Sequence, residues 1–117
     1  MNDIKALTKK IEKFRDERDW MQFHNHKDVA LSLVLEAAEV LEHFQWKKPG
    51  EIEAHAKVCK DEIADELADV AMYLFELAGN LDIDLSKAID VKLAKNAKKY
   101  PIHKAKGNAK KYTEFKP

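Results

Sequence analysis

Apolar residues recur three and four positions apart along most of this chain, which is the spacing of an α-helix and not of a β-strand. One such series is Ile63, Leu67, Val70, Leu74 and Leu77. The 117 residues include only three Gly and three Pro, and no segment reads as a strand. The sequence therefore predicts an all-α fold.

Four helices are predicted, separated by short connectors that are polar or contain Gly and Pro. Asn2 or Asp3 is the expected N-cap of the first helix, and Asp84 is that of the fourth. The third helix is expected to stop at Gly79 and Asn80, which adopt the left-handed conformation of helix ends with little strain. The helices should cover about residues 3–18, 28–45, 54 or 58 to 78, and 85–99.

The first three helices carry apolar stripes that should be buried. Beside the second stripe lie further apolar residues, Val40 and Phe44, so the chain has more apolar surface than one small bundle can cover. This excess favours an oligomer. The stripes are Ile4, Leu7, Ile11 and Phe14 in the first helix, Leu31, Val34, Ala38 and Leu41 in the second, and the series above in the third.

The length suits one domain with its own core. We expect residues 1–100 to form this helical domain and residues 101–117 to form an extended basic C-terminal tail, because that segment is rich in Lys and lacks an apolar period. Lys+Arg and Asp+Glu are equal, at 21 each. The whole molecule therefore has no electrostatic reason to bind nucleic acid or an acidic membrane.

Three features favour a cytoplasmic location. Cys59 is the single cysteine, so no internal disulfide can form. The N-terminal segment is charged where a signal peptide needs an apolar core. No apolar run approaches the roughly 20 residues that cross a bilayer.

Two pairs of acidic residues, each with a spacing of three, stand beside the apolar stripes of the second and third helices. They are Glu36 with Glu39, and Glu66 with Asp69. Residues three apart on a helix have Cβ atoms about 5 to 6 Å apart, and the two pairs converge if the helices are antiparallel neighbours. Four such carboxylates would raise one another's pKa values unless a cation neutralised them. Ligands that are all oxygen favour Mg²⁺ or Mn²⁺.

Two other interpretations of the acids stay open. They could form a solvated acidic surface, since Asp and Glu are common on helices. A di-iron bundle would require Glu-x-x-His, but His43 stands four residues after Glu39, and His55 stands two after Glu53. The spacing therefore disfavours iron.

Glu36-x-x-Glu39 followed by Glu66-x-x-Asp69 resembles the magnesium motif of the all-α nucleoside triphosphate pyrophosphohydrolases, the MazG-like group. Five further blocks, in compatible order, resemble the dCTP pyrophosphatase branch of that group over nearly the whole chain. They are "RDWMQFH" at residues 18–24, "FQW" at 44–46, "DELADVAMYL" at 65–74, "KLAKNAKKYP" at 92–101 and "KGNAKKYTEF" at 106–115.

The resemblance implies a four-helix bundle of the all-α pyrophosphohydrolase type that forms a dimer, or a tetramer made of two dimers. It implies an enzyme that removes unwanted nucleotides by hydrolysing a nucleoside triphosphate, with dCTP as the first candidate. Water would attack the α-phosphorus and release the monophosphate and pyrophosphate. Mg²⁺, or Mn²⁺ in its place, would be held by the catalytic acids Glu36, Glu39, Glu66 and Asp69.

The resemblance also implies positions for the substrate. The indoles of Trp20 and Trp46 would surround the base, one of them supplied by a neighbouring subunit. Ile11 departs from the family pattern, which implies a histidine facing the base, so the preferred base stays open. The other implied contacts are His24 and Lys27 at the entrance, Tyr73 and Asp69 near the sugar, and Lys92, Asn96, Lys99 and Tyr100 at the phosphates.

Two functions of other classes remain. A non-catalytic helical dimerisation or interaction module would explain the apolar stripes and would tolerate the acids as surface residues. A nucleic-acid binder that uses the C-terminal lysines is disfavoured by the zero net charge and by acids that repel phosphate.

Overall fold

The computed structural model describes residues 3–116, and no strand occurs within them. The all-α fold class predicted from the sequence is confirmed. The candidate cap Asn2 and the last residue of the expected tail lie outside the described residues. The helices are α1 Asp3–Glu17, α2 His26–Glu42, α3 Pro49–Val58, α4 Lys60–Asn80, α5 Leu85–Lys99 and the short α6 Ile102–Ala105, with 3₁₀ turns at Met21–Phe23 and Tyr112–Glu114.

Contacts divide the chain into two compact units, Met1–Ile83 and Asp84–Pro117. The first unit is built around α4, which packs mainly against α2 and also against α1 and α3. His24, just before α2, contacts Glu76 near the end of α4, and His43, just after α2, contacts Glu66 near its beginning. The two helices are therefore antiparallel neighbours, as predicted.

Side-chain caps explain where two of the helices begin. Asn25 accepts a hydrogen bond from the backbone N–H of Asp28 at 2.9 Å, so α2 begins two residues before the predicted start. Asp84 accepts from the backbone N–H of Lys87 at 3.1 Å and caps α5, which confirms the predicted cap. Pro49 occupies the first position of α3, where its missing N–H costs nothing.

The predicted third helix consists of α3 and α4, which meet at Cys59. This residue has φ −103° and ψ 27°, so one non-helical residue separates the two helices. The expected stop at Gly79 and Asn80 was wrong, because both belong to α4. The left-handed residue after α4 is Asp82, with φ 56°, and Asp tolerates that conformation better than most residues.

Gly79 has a packing role instead. A Cβ atom at this position would lie 3.1 Å from the Thr8 side-chain methyl on α1. The Thr8 hydroxyl donates a hydrogen bond to the Ile4 carbonyl at 2.6 Å, which holds the methyl in place. The glycine therefore lets α1 and α4 approach closely.

The apolar stripes are less buried than predicted. Val29 and Ala78 are the buried hydrophobic residues of the described chain. Leu67 of α4 remains 52% exposed and Leu41 of α2 remains 65% exposed. The reason is that α2 and α4 meet along the side that carries the acids, which leaves the whole predicted stripe of α2 and part of the α4 stripe exposed. The other stripe residues that are exposed are Leu7, Phe14, Leu31, Val34, Ala38 and Leu74.

The second unit contains α5, α6 and the C-terminal residues. The ring of Tyr100, just after α5, packs edge-on against Tyr112 and Phe115, with centroids 5.9 and 5.7 Å apart. The ammonium group of Lys99 lies 4.9 Å from the centre of the Tyr112 ring. These contacts give residues 101–116 a helical turn and a fold back toward α5, which differs from an extended tail. A domain boundary at residue 100 stays a prediction.

No helix within residues 3–116 is both long and apolar enough to span a bilayer.

Gly79→Ala should lower the free energy of unfolding by about 1 kcal/mol, because the added methyl overpacks against Thr8. In a Thr8→Ser background, which keeps the hydroxyl and removes the methyl, the same change should be neutral or stabilising, since Ala favours helices. Urea unfolding of the four proteins measures this. An equal loss in both backgrounds would mean that Gly79 is needed for its backbone conformation.

Candidate active site

The contact between α2 and α4 brings together the two predicted acid pairs. The carboxyl group of Glu36 interacts with Glu39 on its own helix and with Glu66 and Asp69 on the facing helix. One oxygen of Glu36 and one of Glu66, the Oε2 atom in each case, are buried and accept no hydrogen bond from residues 3–116. The structure therefore brings these four residues together, and their role as a metal site stays a prediction.

Burial raises the pKa of Glu36, and its hydrogen bond with Glu39 and the negative charges of Glu39, Asp69 and Glu66 raise it further. Each cause penalises the carboxylate form. A divalent cation would remove this penalty, and buried, unpartnered carboxylate oxygens are the ligands that a hard cation requires. The residues fit such an ion, although residues 3–116 contain no ready cluster of three or more His, Cys, Asp or Glu side chains around one point.

Two histidines, His43 and His55, form a chain of contacts that begins at the Glu66 carboxylate. His43 Nε2 lies 2.5 Å from Glu66 Oε2, so the imidazole contacts the carboxylate oxygen that accepts no hydrogen bond. His43 Nδ1 forms a hydrogen bond with His55 Nε2 of α3 at 2.8 Å. Both histidine residues are half-buried. The clue to the contact with Glu66 was that His43 stands one turn after Glu39.

A cavity of about 280 Å³ lies between α1, the 3₁₀ turn and α4. Four predicted site residues line it: Trp20, His24, Tyr73 and Asp69. Asp69 belongs both to this cavity and to the acid group, so the two features are continuous. The remaining lining residues are Ile11, Phe14, Arg15, Met72 and Glu76.

Aromatic groups form one wall of the cavity. The Phe14 and Trp20 rings meet edge-on, with centroids 5.8 Å apart. Burial raises the pKa of the Tyr73 hydroxyl, and the negative charges of Glu36, Asp69 and Glu76 raise it further. Tyr73 therefore keeps its proton at neutral pH and can donate a hydrogen bond to a ligand.

Two charged residues of the cavity, Arg15 and Glu76, are not among the residues predicted from the sequence. Arg15 donates to Asp16 at 2.8 Å and to Asn80 at 3.0 Å. Its Nη1 atom lies 3.5 Å from Glu76 Oε2, and His24 Nδ1 lies 2.7 Å from the same oxygen. Glu76 follows Tyr73 by three residues, so it continues the polar strip of α4 and could have been found from that spacing.

Two predicted site residues lie outside the cavity. Lys27 is exposed and pairs with the adjacent Asp28 at 3.4 Å. Trp46 is 92% exposed and has φ 66°, a left-handed conformation that costs a residue with a Cβ roughly 1 to 2 kcal/mol. Such an exposed and strained indole is unusual for a residue that has only a structural role.

The remaining predicted residues, those implied for phosphate binding, belong to the second unit. Lys92, Asn96 and Lys99 lie on α5, and Tyr100 follows it. The amide of Asn96 is half-buried, whereas the two lysines are exposed. Their contact with phosphate stays a prediction.

Comparison with known proteins identifies the relatives of the chain. The model of the MazG-like family matches residues 31–115. The chain belongs to the MazG-like family. This match includes both acid pairs of the candidate site and extends through α5 to the C-terminal aromatic residues.

Similar proteins support this assignment. The dCTP pyrophosphatase 1 of Rattus norvegicus is 40% identical over 117 residues, a match that covers 98% of this chain and 67% of the relative. The human dCTP pyrophosphatase 1 is 39% identical with the same coverage. A crystal structure of a pyrophosphatase from Archaeoglobus fulgidus DSM 4304 has a TM-score of 0.81 and 35% identity over 86% of this chain and 94% of that chain. The MazG-like chain thus shares its fold with a solved pyrophosphatase.

Glu36→Gln should stabilise the metal-free protein at about pH 8. The folded state raises the Glu36 pKa above its ordinary value, so wild-type stability falls as the pH rises through the folded-state pKa. Because Gln does not ionise, the stability of the variant should decrease less between about pH 5 and about pH 8 than that of the wild type. Urea unfolding at about pH 5 and about pH 8 measures it, with Glu62→Gln, an exposed acid of α4, as the control. An unchanged pH dependence in Glu36→Gln would contradict the proposed repulsion.

Proposed function

We propose that the chain is a nucleoside triphosphate pyrophosphohydrolase that converts a deoxynucleoside triphosphate, dCTP first, to its monophosphate and pyrophosphate. The observation that carries this proposal is the continuity of two features through Asp69. One is a group of acids with buried oxygens that accept no hydrogen bond, and the other is a cavity with an aromatic wall. The names of the similar proteins, dCTP pyrophosphatase 1 and pyrophosphatase, support the same reaction.

We propose Mg²⁺ as the cofactor, with Mn²⁺ as a substitute, held by Glu36, Glu39, Glu66 and Asp69. When bound, the ion neutralises the triphosphate and polarises its phosphoryl oxygens. Carboxylates of this group position the ion, and one that is not fully engaged accepts a proton from the attacking water. His43 limits the movement of Glu66 by its contact with that carboxylate.

The cavity binds the nucleoside in this proposal. The indole of Trp20 offers a stacking face, worth about 1 to 3 kcal/mol per base in nucleic-acid systems. Tyr73, one helical turn after Asp69, would lie near the sugar of a bound nucleotide and donate a hydrogen bond to it. His24 lies at the same cavity. Roles for Lys27, Lys92, Asn96, Lys99 and Tyr100 are expected from the family resemblance.

We also propose that the chain acts as a homo-oligomer, either a dimer or a tetramer. The exposed stripe residues of α2 and α4, such as Leu41 and Leu67, provide apolar surface that a second copy can bury. Trp46 is exposed and lies outside the cavity of its own chain, so it is available to the site of a neighbour. Light scattering that gives a monomer at micromolar concentration would contradict this proposal. We expect the protein to act in the cytoplasm, where it would remove unwanted nucleotides.

A non-catalytic interaction module is the second candidate, because the same exposed stripes would suit a helical partner. It predicts no nucleotide hydrolysis. It also predicts that acids at the α2 and α4 contact can be replaced without loss of binding to a partner.

With Mg²⁺ and a panel of nucleoside triphosphates, the protein should release pyrophosphate and monophosphate and no orthophosphate. In water enriched in ¹⁸O, the label should enter the monophosphate, because the attack is at the α-phosphorus. Mass spectrometry of both products measures this. Label in pyrophosphate would indicate attack at the β-phosphorus, and orthophosphate as the product would exclude the proposed reaction.

The combined variant Glu36→Gln and Asp69→Asn is the matched test of the acids. Its kcat should fall at least about a thousandfold, because two of the four carboxylates proposed to hold the metal are lost. Removal of a single group that stabilises a transition state typically costs about 100- to 1,000-fold. Glu62→Gln should retain wild-type activity. Full activity in the combined variant would contradict the catalytic role of these acids and favour the interaction module.

A further inference from the structure

A buried ionic cluster lines the cavity, about two helical turns after Asp69 along α4. It consists of Glu76, Arg15 and His24, all of which line the cavity. The side chains of Glu76 and Arg15 are only 3% and 9% exposed. Buried charges carry a high desolvation cost, so a cluster of this kind at a binding cavity requires an explanation.

The geometry of the cluster is unlike that of a purely structural ion pair. A stabilising Arg–carboxylate pair is usually short and bidentate, whereas Arg15 and Glu76 share one contact of 3.5 Å. Arg15 Nε and Nη1 are used by Asp16 and Asn80. Among residues 3–116, Arg15 Nη2 and Glu76 Oε1 take part in no hydrogen bond. The cluster therefore retains one donor group and one acceptor atom beside the cavity.

We propose that Glu76 and Arg15 read the edge of the base and select cytosine over uracil and thymine. This inference rests on the proposed function and adds the residues that determine its specificity. A carboxylate oxygen accepts a hydrogen bond from the 4-amino group of cytosine, and a guanidinium donates to the adjacent ring nitrogen and carbonyl. Uracil and thymine place a carbonyl where cytosine has the amine, so that two acceptors would face each other.

The positions along α4 match the order of groups in a nucleotide. Asp69 belongs to the acid group, Tyr73 follows after one turn, and Glu76 lies about 10 Å along the helix from Asp69 at roughly 1.5 Å per residue. A nucleotide spans a length of this order between its α-phosphorus and the edge of its base. A substrate held by the acids therefore brings its base to Glu76 and Arg15.

The surrounding residues position the base next to the cluster. His24 contacts Glu76 Oε2 at 2.7 Å, which fixes the plane of the carboxylate. The Trp20 ring lies beside the His24 ring, with centroids 6.4 Å apart. A base stacked on Trp20 is therefore close to the cluster. Ile11 and Met72 supply apolar walls that cannot pair with a base, so the polar recognition falls to Glu76 and Arg15.

The decisive experiment compares dCTP, dUTP and the triphosphate of the 2-pyrimidinone deoxynucleoside, which lacks the 4-amino group, on the wild-type protein. We expect kcat/KM for dCTP to exceed that for either analogue at least tenfold, mainly through KM. The comparison changes the ligand, so no variant has to fold. Values for dUTP and dCTP within threefold of each other would overturn the inference.

Glu76→Gln extends the test, because its amide can present either a donor or an acceptor. The ratio of kcat/KM for dCTP to that for dUTP should fall at least fivefold, while Glu62→Gln leaves it unchanged. An unchanged ratio in a folded Glu76→Gln protein would also overturn the inference. If no triphosphate yields pyrophosphate in the wild type, the proposed function itself fails. Turnover without preference for the base refutes only the role of this cluster.

Discussion

Repulsion between carboxylates that α2 and α4 force together is the constraint on which the rest of the site depends. The helices could have met along their apolar stripes, and a chain selected only for stability would be expected to do so. They meet instead where Glu36 and Glu66 lose solvent, and each leaves an oxygen without a hydrogen bond. Positive charge would relieve this repulsion, which is why we propose a divalent ion at these carboxylates.

The contact between the acid-bearing sides of α2 and α4 also explains the exposed apolar surface. Because the acid-bearing sides of α2 and α4 face each other, residues such as Leu41 and Leu67 are left on the outside. A second copy of the chain would bury them, so the contact that gathers the acids also leaves the surface for the oligomer that we propose. Trp46 fits this view, since its indole is 92% exposed and its backbone adopts a left-handed conformation.

Much of the fold and part of the site could be predicted from the sequence. The helices could be predicted because helical spacing and capping residues such as Asp84 are local signals. The convergence of the acid pairs could be predicted because spacing determines which side of a helix a residue occupies. Tertiary contacts decided the rest. Gly79 reads as a helix stop, but the close approach of Thr8 explains it. Arg15 was hidden because a lone Arg on a helix normally faces solvent, and only the fold places it beside Glu76.

Anomalous diffraction from crystals that contain Mn²⁺ and a non-hydrolysable dCTP analogue would locate the proposed ion. We expect an anomalous peak between α2 and α4, with carboxylate oxygens of Glu36, Glu39, Glu66 and Asp69 as its protein ligands and phosphate oxygens completing the coordination. A peak elsewhere, or ordered nucleotide with the four carboxylates turned away from any ion, would contradict this expectation.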